Sequence, residues 1–110
     1  MIKIIFQYNN TLCSSVEISG HAGYAERGFD IVCSGVTTTA YTSINLIDKI
    51  KHDCYTLKVD EQAGFLRLDV DYNKLSSEDV RVVSMVLDNL LDMLNEIKRS
   101  YKKYLKIEIL

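Results

Sequence analysis

Apolar and polar residues alternate from residue 2 to 8, Ile2-Lys3-Ile4-Ile5-Phe6-Gln7-Tyr8, and again from Leu12 to Ser19. A period of two belongs to a strand with one buried face. Asn9-Asn10-Thr11 between the two runs is a turn, so the pair predicts a hairpin. The period then changes. Val36, Ala40, Ile44, Ile47 and Ile50 recur at helical spacing, which predicts a helix over about residues 31–51 with Asp30 as its N-cap. Residues 54–60 and 65–72 alternate once more, with Leu57 and Val59 in the first run and Leu66, Leu68 and Val70 in the second. Glu61-Gln62-Ala63-Gly64 joins them as a second hairpin. Ser76-Ser77-Glu78-Asp79 opens another helix, with Ser76 and Asp79 at capping-box spacing. Its apolar stripe is Val80, Val83, Leu87, Leu90, Leu91, Leu94, Ile97 and Tyr101, and residues 104–109 close the chain as a short alternating strand. The order is ββαββαβ. Each helix has one stripe to bury and the strands offer one apolar face. The expected fold class is therefore α+β, a two-layer sandwich with two helices packed on a mainly antiparallel sheet. The strand order does not follow from periodicity.

The chain has 110 residues, 47% of them apolar, and is expected to form a single domain over residues 1–110. A domain of this size buries roughly two-thirds of its extended surface, enough for a core without staples. Thirteen basic and fifteen acidic side chains leave a net charge of −2, which argues against a nucleic-acid partner. Lys98, Arg99, Lys102, Lys103 and Lys106 do cluster. Basic residues favour the negative end of a helix dipole, so the cluster reads as a solvated helix end before it reads as an RNA contact. No apolar run has the length of a membrane span, and the first residues alternate like a strand rather than like a leader. The expected location is the cytoplasm, with no membrane partner.

Cys13, Cys33 and Cys54 are odd in number and contain no C-x-x-C pair. With only His21 and His52 to add, no metal-ligand set is evident, and no cofactor is expected. Three free thiols are expected in a reducing compartment. Most such cysteines are small buried hydrophobes, and Cys13 and Cys54 are read so, as strand residues. Cys33 differs in its setting. With Asp30 as N-cap it falls in the first helical turn, where unpaired N–H groups and the helix dipole favour a thiolate. Residues 20–29 form a loop punctuated by Gly20, Gly23 and Gly28, and His21 stands at its start. Such a loop can fold back and bring His21 to Cys33 as a general base.

The run Gly20-His21-Ala22-Gly23-Tyr24-Ala25-Glu26, then Gly28, then Asp30-Ile31-Val32-Cys33, resembles the signature of the ribosomal-processing cysteine proteases, the Prp family. Length, element order and the closing helix and strand are similar as well. The resemblance implies a small α+β homodimer. It implies an endopeptidase that removes the N-terminal extension from the precursor of the bacterial large-subunit ribosomal protein L twenty-seven. It implies a catalytic dyad of His21 and Cys33. It also implies that Gly20, Asp30 and a hydroxyl residue four after the cysteine, here Thr37, support activity or bind substrate. Two positions depart from the family pattern. Ser34 replaces the usual alanine after the cysteine, and Thr37 replaces the usual serine while keeping the hydroxyl.

Under that reading the chemistry is acyl transfer through a thioester, with the oxyanion held by N–H groups at the helix start, that of Cys33 included. Asp30 caps the helix, orients His21 or meets a substrate cation. Thr37 lies one turn after Cys33 and either touches substrate or bonds back to the carbonyl of residue 33. Gly23, Tyr24, Gly28 and Phe29 belong to a loop expected to be mobile without substrate, with the two aromatic residues available to line a pocket. Two other readings stand beside the protease. One is a non-enzymatic ribosome-associated binding module, and the other is a thiol redox sensor built on Cys33.

Overall fold

The computed structural model describes residues 1–20 and 27–110, the stretch 27–30 as backbone only. The chain opens with β1 (Ile2–Asn9) and β2 (Leu12–Ser19), and continues through α1 (Arg27–Ile50), β3 (Tyr55–Asp60) and β4 (Phe65–Val70). A 3₁₀ turn at Tyr72–Lys74 leads into α2 (Ser77–Tyr101) and β5 (Leu105–Ile109). The strands and α2 follow the alternation closely. The last strand of the second hairpin stops at Val70 instead of residue 72. There the carboxylate of Asp71 accepts the N–H of Asn73 at 3.1 Å and winds the chain into the 3₁₀ turn. Asn10 turns the first hairpin with φ of 59°, in the left-handed region that asparagine tolerates. Ser76 caps α2 as its spacing predicts, its hydroxyl accepting the Asp79 N–H at 3.1 Å.

The five strands lie in the order β3-β4-β2-β1-β5. The pairs β1–β2, β2–β4 and β3–β4 are antiparallel. β5 joins the far edge parallel to β1, so the sheet is mixed. One face carries Ile4, Phe6, Val16, Leu66, Leu68 and Leu105, all buried. The other carries charges paired both across and along the strands. Arg67 reaches Glu17 at 3.2 Å and Asp69 at 3.0 Å, and Lys3 and Lys106 flank Glu108 at 3.6 and 3.3 Å. Only the apolar face can take the helices, which produces two layers.

Val32, Val36, Ala40, Ile44 and Ile47 of α1 and Val83, Leu87, Leu90 and Leu94 of α2 meet that face, and all are buried. Each large aliphatic side chain sealed in this way contributes about 1.5–3 kcal/mol. The α2 stripe opens at its C-terminal end, where Ile97 is half-buried and Tyr101 exposed. Val59 departs from the expectation that its strand buries every second residue. It points to the helix side of the sheet but lies at the edge, and it is 43% exposed. No helix among the described residues is long and apolar enough to cross a membrane.

Candidate active site

α1 starts at Arg27, one turn earlier than the apolar spacing predicts. Arginine is a good helix former, and one internal glycine at position 28 costs only about 1 kcal/mol, which a long helix docked on a core absorbs. Asp30 is consequently the fourth residue of the helix and not its N-cap. Cys33 is the seventh, in the second turn. Its N–H then belongs to the helical ladder, directed at the carbonyl of residue 29, and is not free for an oxyanion. The dipole's influence, strongest in the first turn, is also weaker there than expected. Gly28 and Phe29, expected in a loop, belong to the helix. His21, Gly23 and Tyr24 lie outside the described residues.

A cleft of about 390 Å³ opens between α1 and the β3–β4 end of the sheet. Cys33 is half-buried on its helical wall, followed along the same wall by Thr37 and Tyr41 at intervals of four residues. Ile2, Ile18 and Leu66 supply the sheet side, and Val59, Asp60, Glu61, Gly64 and Phe65 the hairpin side. The hydroxyls of Thr39, Thr42 and Ser43 bond back to carbonyls four residues earlier. Among the described residues Thr37 makes no such bond, and its exposed side chain is left for the cleft.

Gly20 directly follows β2 and lines this cleft. Its N–H donates to the Gly64 carbonyl at 3.0 Å, tying the end of β2 to the hairpin turn. Its φ is 138°, which side-chain-bearing residues rarely adopt. A Cβ there would stand 2.7 Å from the Met1 carbonyl oxygen and 2.8 Å from the Ile2 Cα. The structure thus joins Gly20, Cys33 and Thr37 in one cleft. It adds Tyr41, Val59, Asp60 and Glu61, which sequence reasoning missed. Tyr41 had a signal, its spacing of two helical turns from Cys33. The hairpin residues had none, because they reach the cleft through tertiary packing.

The family model of cysteine protease Prp matches residues 1–106. The chain belongs to this family and is a cysteine protease. The ribosomal processing cysteine protease Prp of Bacillus subtilis is 28% identical over 93 residues, spanning 84% of this chain and 82% of that protein. The Prp of Staphylococcus aureus strain Mu50 is 25% identical over 95 residues, 86% of this chain and 84% of its own length. The crystal structure of SMU.848 from Streptococcus mutans superposes with a TM-score of 0.86 at 26% identity, covering 100% of this chain and 94% of that one. An S. aureus Prp solved with a substrate peptide shares the fold, with a TM-score of 0.85 at 22% identity and full coverage of both chains.

A cysteine protease of the Prp family needs a thiol that a peptide can reach, and the three cysteines are not equal in this. Cys13 and Cys54 are 0% exposed, whereas Cys33 lines the cleft. Burial, reinforced by the Asp88 carboxylate, pushes the Cys13 thiol up to about 12, against a smaller opposing effect of the Ser15 backbone. Burial raises the Cys54 thiol as well. Near pH 8 both therefore remain thiols, and alkylation requires the thiolate. With limiting iodoacetamide, peptide mapping is expected to find the label on Cys33 first. Equal labelling of all three in the folded protein would contradict this assignment.

The same shift carries a stability consequence. The folded pKa of Cys13 lies above its unfolded value of 9.0, so its contribution is complete below about pH 9 and is lost as pH rises toward 12. Tyr8 and Tyr72, both raised chiefly by burial, act in the same direction. The urea midpoint is expected to fall steadily from about pH 9 upward.

Proposed function

We propose that this protease removes the N-terminal extension from the precursor of large-subunit ribosomal protein L twenty-seven, with Cys33 as nucleophile and His21 as general base. One observation carries the assignment of Cys33. It lines a cleft of peptide-binding size, while the other two cysteines are sealed in the core. The names of the curated relatives, ribosomal processing cysteine proteases, support the substrate class. The location of His21 in the family motif Gly20-His21-Ala22 supports its role.

In this reading His21 accepts the Cys33 proton and the thiolate attacks the scissile carbonyl. His21 next protonates the leaving amine, leaving a thioester, and then activates the water that hydrolyses it. Thr37, one turn beyond Cys33 on the cleft wall, contacts the peptide. Asp30, no longer a cap, is left to orient His21 or to meet a substrate cation. Gly20 supports the site by shaping its lining. The proposal extends to one protease domain over residues 1–110, acting as a homodimer in the cytoplasm, and these parts rest on the family resemblance.

The test is intact mass spectrometry of the precursor, taken from the same organism and incubated with the protein. The expected result is loss of one defined N-terminal segment. An unchanged precursor mass with folded protein would replace the substrate, and retained binding of that precursor without cleavage would favour the binding module.

A further inference from the structure

Among the described residues, the charged ones that line the Cys33 cleft are both acidic, Asp60 at the end of β3 and Glu61 in the turn after it. Asp60 uses Oδ1 to accept the Ala63 N–H at 3.1 Å, which fixes the turn. Both residues are exposed, and among the described residues neither has an ion-pair partner. The basic cluster of the α2–β5 corner does not neutralise them, since Lys98, Arg99, Lys102, Lys103 and Lys106 are absent from the cleft lining. Next to the carboxylates the cleft is apolar. Tyr41 on α1 and Val59 on β3 stand on opposite walls, 39% and 43% exposed, with Ile18 and Leu66 beneath them. A small domain gains nothing by leaving a tyrosine and a valine open to water across a gap. The gap suits an apolar side chain of a bound peptide.

We propose that Asp60 and Glu61 make this protease select a peptide carrying a Lys or Arg side chain beside the apolar one that fills the space between Tyr41 and Val59. The inference rests on the cleft being the substrate's seat and on Cys33 being its nucleophile. Two carboxylates with no ion-pair partner among the described residues, on a partly apolar wall, create a negative potential that attracts a cationic peptide and repels an acidic one. A ribosomal protein binds RNA phosphates through Lys and Arg, so the substrate class proposed above meets the requirement. Asp60 and Glu61 are specificity residues in this account and take no part in the proton transfers.

The test has two arms. In the first, Cys33 is modified by two methanethiosulfonates, one bearing a trimethylammonium group and one a sulfonate. Their rates are normalised to those with 2-mercaptoethanol. The cationic reagent is expected to react faster. The ratio is expected to drop roughly 2–5-fold for each charge removed, in Asp60→Asn, which keeps the acceptor for Ala63, and in Glu61→Gln. In the second arm a precursor peptide spanning the cut, with Lys placed beside its apolar residue, is compared with a copy carrying Gln at each such position. The kcat/KM of the unaltered protein is expected to fall roughly 2–5-fold per charge, and the fall is expected to disappear in the Asp60→Asn, Glu61→Gln double variant. Equal normalised rates for the two reagents overturn the proposal, as does a peptide preference that survives in the double variant. If the unaltered protein cuts neither peptide, the failure belongs to the substrate assignment, and the reagent arm still decides the charge of the cleft.

Discussion

Cys33→Ala is expected to leave the precursor uncut. Removing the nucleophile of a covalent mechanism ordinarily lowers kcat/KM by about 10⁴-fold or more, equivalent to about 5 kcal/mol of transition-state stabilisation. The loss should appear in kcat with peptide binding retained, because Cys33 occupies only part of a cleft whose other described walls come from α1, the sheet and the β3–β4 hairpin. The fold should survive, since the side chain is half-buried and alanine is the better helix former. His21→Ala is expected to cost a comparable factor. The double variant should be no worse than either single one, because base and nucleophile act as a unit. Residual cleavage by the Cys33→Ala protein would sink the nucleophile assignment. Neither of the other thiols could take its place, as Cys13 and Cys54 are fully buried.

Gly20→Ala is expected to destabilise the protein by about 2–4 kcal/mol. Two effects combine. A side chain at φ of 138° is strained by itself, and the added Cβ meets backbone atoms of Met1 and Ile2 at 2.7 and 2.8 Å. Those atoms cannot retreat cheaply. Ile2 pairs with Leu105 in the sheet, and its N–H donates to the Tyr104 carbonyl at 2.8 Å. For a domain of this size the melting temperature should fall by at least about 10 °C. The importance that the family motif attaches to Gly20 is then explained by close backbone approach rather than by chemistry. Activity should fall too, because the Gly20 N–H to Gly64 bond joins the end of β2 to the hairpin wall of the cleft. A Gly20→Ala protein that melts within a few degrees of the parent would remove the steric argument. If it were also inactive, a direct role at the reaction centre would replace it.

What the chain determines locally was open to reading from residue order. The alternation of Ile2–Tyr8 and Leu12–Ser19, the helical stripe from Val83 to Leu94 and the Ser76 cap each depend on neighbours a few positions away, and each is realised. Cys33 stood out by an expected first-turn setting that a helix starting at Arg27 does not provide, while the motif around it pointed to the family that residues 1–106 match. The start of α1 was misplaced because Gly28 is a breaker only when nothing opposes it. Helix propagation and the docking of Val32 and Val36 outweigh a penalty of about 1 kcal/mol.

Periodicity says which face of a strand is buried but not which strand lies beside it. The position of β5 parallel to β1, and of β3 at the opposite edge, was therefore decided only when the whole sheet assembled. The cleft is of the same kind. Tyr41 and Val59 are 18 positions apart, on a helix and on a strand, yet packing places both in the wall of one cleft. The sequence alone set the elements, the nucleophile candidate and the family, because those depend on local spacing. Tertiary packing alone decided which walls surround that nucleophile and what charge they carry, because a cleft exists only between elements distant along the chain.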